Sequence, residues 1–131
     1  RPLSIGIRKG KERDEYIVAS EDALFTSQGF DKLRDVEPGE AIFIDKKGNL
    51  FSQQCAENPQ KRPCIFEFVY FSRPDSKIDE ISVYKARMRM GSKLAKLIKS
   101  INPDHDIDVV IPIPDSSSTS ALQLAVDLDV P

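Results

Sequence analysis

The chain has 131 residues, the length of one ordinary domain or of parts of two. Hydrophobic residues make up 40% of it and charged residues 31%, a globular composition that argues against intrinsic disorder. The formal net charge of −2 gives no basis for a nucleic-acid or anionic-membrane partner, and no apolar run approaches the roughly 20 residues that span a bilayer.

Residues 1–54 are predicted to form short strands and turns around one small helix. Apolar and polar residues alternate from Leu3 to Ile7, which is typical of a half-buried strand. A helix is predicted to start near Ser20 and run toward Ser27, with Gly29 ending it. Three further strands are predicted, the second of them buried: Tyr16–Ala19, Ala41–Ile44 and Leu50–Phe51.

The pattern changes after residues 55–63, where two prolines and a loss of apolar periodicity indicate a linker. From residue 64 onward, strand and helix signals alternate, as at the start of a parallel α/β domain. In chain order they are a strand at Ile65–Phe71, a helix from Ser82 to Asn102, a strand covered on both faces at Ile107–Ile111, and an amphipathic helix around Ala121–Leu128.

The helix predicted from Ser82 carries a stripe of apolar residues at steps of three and four, which we expect to face the core. Its members are Val83, Ala86, Met90, Leu94, Leu97, Ile98 and Ile101. The same helix carries six cations without an intervening acid: Lys85, Arg87, Arg89, Lys93, Lys96 and Lys99. A polyanion site would explain the cations, but an amphipathic helix needs a polar face, so they are interpreted as a solvated surface.

The most informative local feature is the segment 111–120, in which a predicted buried strand runs into a hydroxyl-rich loop and then a helix. Ligands bind at the carboxyl ends of strands in open α/β sheets, and a helix N-terminus offers unpaired N–H groups to phosphate. Asp115 and the neighbouring hydroxyls suit a hydrated Mg²⁺ that accompanies such a phosphate. The alternative is that these serines only cap the helix, and spacing alone favours that alternative.

Other candidate residues carry weaker signals. Arg73–Ser76 is either a functional loop or a plain turn, and His105 is interpreted as an exposed loop residue because no second His accompanies it. Cys55 and Cys64 are interpreted as reduced, semi-buried thiols. No Ser/His/Asp or Cys/His motif is found, so the residues alone assign no catalytic group.

Longer stretches resemble a known family, the amidophosphoribosyltransferases. Pro63–Ser76 is similar to the stretch that opens the phosphoribosyltransferase domain of that family, and Ile81–Leu94 is similar to the helix that follows. Asp108–Ser116 is similar to the next strand and ligand loop. The first half, with Arg1–Leu3 and Glu15–Glu21, is similar to the end of the family's glutaminase domain.

The resemblance implies an α/β fold, α+β overall, with two domain parts. Residues 1–54 are expected to be the end of a layered N-terminal-nucleophile glutaminase domain, and residues 55–63 a linker. Residues 64–131 are expected to begin the parallel sheet of a type I phosphoribosyltransferase domain. Because the chain has no initiator Met and stops after an apolar helical pattern, both of its ends are expected to be cuts within a longer protein.

The resemblance also implies chemistry for the parent protein. Ser116 occupies the position of a Mg²⁺ ligand, while the glutaminase nucleophile and the ribosyl-phosphate loop fall outside this sequence, so no catalytic residue is assigned and the substrate-binding residues are unknown. Some members hold an iron–sulfur cluster through four cysteines, one of them near Cys64. The other ligands are not in this sequence, so no cluster is assumed.

The expected substrates of the parent are glutamine and phosphoribosyl pyrophosphate, in a cytoplasmic homo-oligomer. The expected reaction opens purine synthesis by forming phosphoribosylamine. Two other hypotheses remain open at this point. One is a non-catalytic regulatory or assembly module on the same scaffold, and the other is a simple phosphoribosyltransferase without a glutaminase.

Overall fold

The computed structural model describes residues 2–131, and the chain divides into two compact units, one ending at Cys64 and the other comprising Ile65–Pro131. Arg1, which the glutaminase resemblance includes, lies outside the described residues. The assignment of 1–54, 55–63 and 64–131 to named domains stays a prediction. The strands and helices in chain order are β1 (Ser4–Arg8), β2 (Glu15–Ala19), α1 (Ala23–Ser27), β3 (Asp31–Asp35), β4 (Glu40–Ile44), β5 (Leu50–Gln54), β6 (Lys77–Ile78), β7 (Ile81–Ser82), α2 (Val83–Ile101) and α3 (Ser118–Leu128).

The first unit is strand-rich, as predicted. Its main sheet is antiparallel in the order β2-β1-β3, so the central strand β1 pairs with β2 on one side and β3 on the other. Ile5 on β1 and Phe25 on α1 are the fully buried apolar residues of this unit. Gly6 allows the side chains of Ile17 and Phe25 to lie close to β1, since a Cβ there would lie 2.7 Å from Ile17 and 3.0 Å from the Phe25 ring. Strand β3 was not predicted, because its sequence holds one apolar residue among four charges.

Strands β4 and β5 form a separate two-stranded hairpin. The prediction that Ala41–Ile44 is buried is wrong: Phe43 is 66% exposed and Ile44 is exposed as well. Phe43 faces Phe51 across the hairpin, with ring centroids 6.2 Å apart. A two-stranded sheet can shelter its apolar residues only through such cross-strand pairs unless another layer packs on it.

In the second unit, the prediction of a strand at Ile65–Phe71 is wrong. Residues Glu67–Phe71 form a single π-helical turn, here called the aromatic turn, in which the Ser72 N–H donates to the Glu67 carbonyl at 3.0 Å. Aromatic and branched residues favour strands because they pack well on a pleated surface, and tertiary contacts override that preference readily. The contacts of Arg87, described below, provide this override.

The parallel sheet expected for residues 64–131 is also not formed among the described residues. Ile107–Ile111 is neither helical nor paired with a strand, and the Val110 N–H donates to the Pro131 carbonyl at 2.9 Å instead. The only strand pair of this unit within residues 2–131 is the antiparallel hairpin β6-β7. A parallel strand needs a parallel neighbour, and the neighbour predicted within residues 2–131 is helical at Glu67–Phe71. The coarser prediction of a mixed helix and strand fold is confirmed.

Helices α2 and α3 pack against each other and are the two longest elements of the second unit. Ser82 caps α2 as predicted, because its hydroxyl accepts a hydrogen bond from the Lys85 N–H at 3.3 Å. The buried face of α2 differs from the predicted stripe. It repeats every four residues and consists of Val83, Arg87, Gly91 and Ala95, whereas Leu94, Leu97 and Ile101 are exposed.

The close approach of the two helices generates a prediction at Gly91. A Cβ on Gly91 would lie 2.3 Å from the backbone carbonyl oxygen of Ser120, so Gly91→Ala must push the helices apart. We expect a loss of about 1–3 kcal/mol in the free energy of unfolding. At an exposed helix position the same change would stabilise by roughly 1 kcal/mol.

Urea denaturation of the protein and its Gly91→Ala variant checks this prediction. Lys93→Ala, at an exposed position two residues later, is the control and should stay within about 0.5 kcal/mol. A Gly91→Ala protein as stable as the parent would mean that the helices are not in tight contact there.

A charge-assisted pair joins β3 to β4 in the first unit. Arg34 donates two hydrogen bonds to the Glu40 carboxylate, at 2.8 and 2.6 Å, and the Glu37 N–H donates a third at 2.8 Å. These bonds, those from Arg34 foremost, lower the pKa of Glu40 from 4.5 to about 2. A carboxyl group whose pKa is lower in the folded than in the unfolded protein stabilises the fold at pH values above its unfolded pKa. This stabilisation is lost as the pH falls toward the folded pKa of about 2.

Glu40→Gln should therefore lower the melting temperature at pH 7, and its difference from the parent should shrink as the pH falls from about 4.5 toward 2. Melting temperatures measured across that range check the prediction, with Glu12→Gln, at an exposed position, as the control. A difference that stays constant with pH would show that the carboxylate charge is not responsible.

Candidate ligand-binding loop

The hydroxyl-rich loop ends where α3 begins, at Ser118, and the N-cap residue is Ser117. The Ser117 hydroxyl does not accept a helix N–H and instead donates to the Ile113 carbonyl at 2.5 Å. The Ser118 N–H donates to the Asp115 carbonyl at 3.2 Å, and the Pro114–Asp115 peptide bond is cis. The loop is therefore held in shape by hydrogen bonds within residues 113–118.

Ser116, the candidate metal ligand, is half-buried directly before the N-cap. Because Ser117 occupies the N-cap position, Ser116 is not the capping residue of α3. Its neighbour Asp115 is exposed. A hydroxyl and a carboxylate thus stand side by side at a helix N-terminus, where the partial positive charge favours phosphate.

The first turn of α3 is attached to α2 at one place. The Ser120 hydroxyl donates to the Arg87 carbonyl at 2.9 Å, and the Ser120 carbonyl lies against the bare Cα of Gly91. Arg87 and Gly91 are one helical turn apart on the buried face of α2. The position of the candidate loop is therefore set by this part of α2.

Arg87 is itself buried, with 3% of its surface exposed, which corrects the interpretation of all six α2 cations as solvated. Its guanidinium donates to two carbonyls of the aromatic-turn region, from Nε to Phe68 and from Nη2 to Ser72, both at 2.8 Å. Glu67 and Ser72 are buried beside it, with the Ser72 hydroxyl 3.4 Å from the Glu67 carboxylate. A charge at such depth is tolerated only when its donors are satisfied.

Sequence reasoning missed Arg87, although a signal was present. The residue lies four positions after Val83 and four before Gly91, on the face of α2 that the structure buries. The predicted stripe weighted large apolar residues and therefore followed Leu94 and Leu97 instead.

The Arg73–Ser76 loop proves to be a tight connection before α2. Arg73 donates two hydrogen bonds to Asp75, at 3.0 and 2.9 Å, and this pairing lowers the pKa of Asp75. Ser76 is fully buried, and its carbonyl accepts from the Val83 N–H at 3.1 Å. The Arg73–Asp75 pair therefore lies within the loop, and backbone hydrogen bonds fix the loop to the start of α2.

The remaining candidates do not assemble into a site. His105 is half-buried, not exposed as predicted, and its Nδ1 is buried without a hydrogen-bond partner among residues 2–131. Cys55 and Cys64 are free and exposed, not semi-buried. Within the described part of the chain there is no group of three His, Cys, Asp or Glu side chains placed to hold a metal ion, and no helix long and apolar enough to cross a membrane.

Comparison with known proteins identifies homologues of the chain. No protein-family model matches the chain. The amidophosphoribosyltransferase of Escherichia coli is 56% identical over 132 residues, which is 100% of this chain and 26% of that protein. The amidophosphoribosyltransferase of Pseudomonas aeruginosa is 55% identical over 130 residues, which is 99% of this chain and 26% of that protein. The chain's homologues over essentially its whole length are therefore amidophosphoribosyltransferases.

Solved structures agree with this assignment. A structure described as the allosteric regulatory enzyme of purine biosynthesis matches with a TM-score of 0.81 and 40% identity, over 100% of this chain and 26% of that one. The glutamine phosphoribosylpyrophosphate amidotransferase from Bacillus subtilis, complexed with ADP and GMP, matches with a TM-score of 0.80 and 40% identity, over 100% and 27%. The chain thus spans about a quarter of the amidophosphoribosyltransferases it matches, and the match includes α2 and the loop at Ser116.

Proposed function

We propose that the chain is part of an enzyme that makes 5-phosphoribosylamine, glutamate and pyrophosphate from phosphoribosyl pyrophosphate, glutamine and water, the first step of purine biosynthesis. The observation that supports this most is identity of 55% and 56% with two bacterial amidophosphoribosyltransferases along essentially the whole chain. The proposal concerns the longer protein, since this chain corresponds to about a quarter of those relatives.

The first unit favours the amidotransferase over a simple phosphoribosyltransferase. The relatives match through both compact units, and a phosphoribosyltransferase without a glutaminase would leave the first unit without a counterpart. A non-catalytic module on the same scaffold is the remaining alternative. It has no observation in its favour among the comparisons.

Within this function, Ser116 is proposed as a ligand of Mg²⁺. The donors fit the ion: Ser116 and the adjacent Asp115 offer oxygen atoms, which Mg²⁺ prefers, and the ion keeps several waters and needs few protein groups. When bound with phosphoribosyl pyrophosphate, Mg²⁺ neutralises negative charge on the departing pyrophosphate.

The chain's own contribution is to present the phosphate-binding end of α3 in a fixed position. The helix N-terminus favours the negatively charged substrate, and the Ser117–Ile113 hydrogen bond holds the loop before the substrate arrives. Groups that are positioned in advance do not spend binding energy on ordering themselves. We also propose that the parent is a cytoplasmic homo-oligomer, a setting compatible with two free exposed thiols.

The function is tested with the full-length protein. With glutamine, phosphoribosyl pyrophosphate and Mg²⁺ present, glutamate and pyrophosphate should be released in equal amounts. Pyrophosphate release with ammonia but never with glutamine would favour the simple phosphoribosyltransferase. Release of neither product would favour the non-catalytic module.

The 131-residue chain should show neither activity when purified alone, because it contains no assigned nucleophile and no ribosyl-phosphate loop. Steady-state assays of glutamate and pyrophosphate release check this expectation. Reproducible turnover by the chain would show that the catalytic groups have been placed in the wrong part of the protein.

Replacing Ser116 tests the metal proposal. In the full-length enzyme, Ser116→Ala should weaken binding of the Mg²⁺-bound substrate roughly ten-fold, comparable with losing one charge-assisted hydrogen bond. Glutamine hydrolysis should change less. Titration of activity against phosphoribosyl pyrophosphate at several Mg²⁺ concentrations measures the effect, with Ser100→Ala, at an exposed position near the end of α2, as the control.

A structural role for the Ser116 hydroxyl would give a different result. In that case Ser116→Ala would lower the melting temperature by an amount corresponding to about 1 kcal/mol, the contribution of one hydrogen bond, and would leave the substrate dependence unchanged. Substrate titration curves that coincide for the parent and Ser116→Ala enzymes would therefore reject Ser116 as a ligand.

A further inference from the structure

Arg87 makes contacts on two sides of α2 that no other cation of this helix makes within residues 2–131. Its side chain holds the aromatic-turn region through the carbonyls of Phe68 and Ser72. Its backbone carbonyl accepts the hydroxyl of Ser120, in the first turn of α3. A single residue thus contacts both the aromatic turn and the helix that carries the candidate ligand loop.

The aromatic turn needs this support. One five-residue turn of π-helix is too short to be stable by itself, and its residues have a strong strand preference. Its aromatic side chains do not supply a buried core either, because Tyr70 is 60% exposed and Phe71 is 51% exposed. The two guanidinium hydrogen bonds tie the turn to α2.

The geometry of these bonds is specific to arginine. A guanidinium presents donors in a rigid planar fork, so Nε and Nη2 can reach two carbonyls at fixed positions at once. A lysine has the same charge but a single flexible ammonium group. Lysine at position 87 would keep the buried charge and lose the fixed spacing between the two carbonyls.

A second set of contacts joins α2 to the start of α3. The Ser120–Arg87 hydrogen bond and the contact of Ser120 with Gly91 fix the first turn of α3 against one turn of α2. Ser116 lies two residues before that helix begins. A shift of α2 around Arg87 therefore moves the start of α3 and the loop together.

We infer that Arg87 is a positioning residue for the ligand loop: its guanidinium fork fixes the aromatic turn on α2, and thereby holds α2, α3 and Ser116 in the arrangement that binds substrate. Arg87 contacts neither the metal ion nor the substrate in this role. The effect on substrate rests on the proposed phosphoribosyl transfer, whereas the structural link between the turn and the loop does not.

The test uses the full-length protein with Arg87→Lys, and with Arg89→Lys as the matched control, since Arg89 is exposed on the same helix. Hydrogen–deuterium exchange by mass spectrometry measures the link. In Arg87→Lys, peptides covering 66–72 and 114–121 should both exchange faster, while peptides of the first unit stay unchanged. Arg89→Lys should change neither set.

Kinetics test the consequence for substrate. At a temperature well below melting, Arg87→Lys should raise the KM for phosphoribosyl pyrophosphate roughly ten-fold, the low end of the effect seen for residues that orient metal ligands. The glutaminase KM for glutamine should not change.

Two outcomes would overturn the inference: faster exchange confined to 66–72, or a lowered melting temperature with an unchanged KM for phosphoribosyl pyrophosphate. If the parent enzyme shows no transferase activity at all, the proposed function fails, and the exchange of 114–121 still decides whether Arg87 positions the loop.

Discussion

The second unit depends on the hydrogen bonds that the buried guanidinium of Arg87 makes. The Arg87 guanidinium is enclosed between α2 and the aromatic turn, where an unpaired cation would cost several kcal/mol, so the carbonyls of Phe68 and Ser72 have to stay within reach. This requirement explains why a strand-favouring sequence is helical at Glu67–Phe71. The buried face of α2 next to Arg87 is also small at Gly91, where a larger side chain would keep α3 from approaching.

Local signals predicted the elements that depend on local chemistry. The Ser82 cap, a helix around Ala121–Leu128 and four strands of the first unit, β1, β2, β4 and β5, follow from caps, helical periodicity, turns and alternation, and the structure contains them. The failures depend on partners distant in sequence. Ile65–Phe71 is helical because of a residue on α2, and Ile107–Ile111 has no strand neighbour among residues 2–131. The sequence within either segment does not predict those distant partners.

The candidate loop was found from sequence, but its surroundings were not. A hydroxyl-rich segment before a helix is visible in the residues, and the family resemblance singled out Ser116. The hydrogen bonds that fix the loop, from Ser117 to Ile113 and from Ser120 to Arg87, join residues whose contact no local rule foretells. A ligand-binding side chain is positioned accurately only when neighbouring residues hold it in place. The predicted ligand Ser116 therefore depends on hydrogen bonds that the sequence did not predict.

The central claim is that substrate binding at the Ser116 loop depends on the Arg87 contacts, and a double-mutant cycle tests it most directly. The binding free energy of phosphoribosyl pyrophosphate, with Mg²⁺, would be measured for the full-length enzyme, for Arg87→Lys, for Ser116→Ala and for the double variant. If Arg87 acts by positioning Ser116, Ser116→Ala should lose less binding free energy in the Arg87→Lys enzyme than in the parent enzyme. The coupling free energy between the two substitutions should be about 1 kcal/mol. If the losses of binding free energy in the two single variants add up to the loss in the double variant within about 0.3–0.5 kcal/mol, the two residues act independently, and this result would contradict the account.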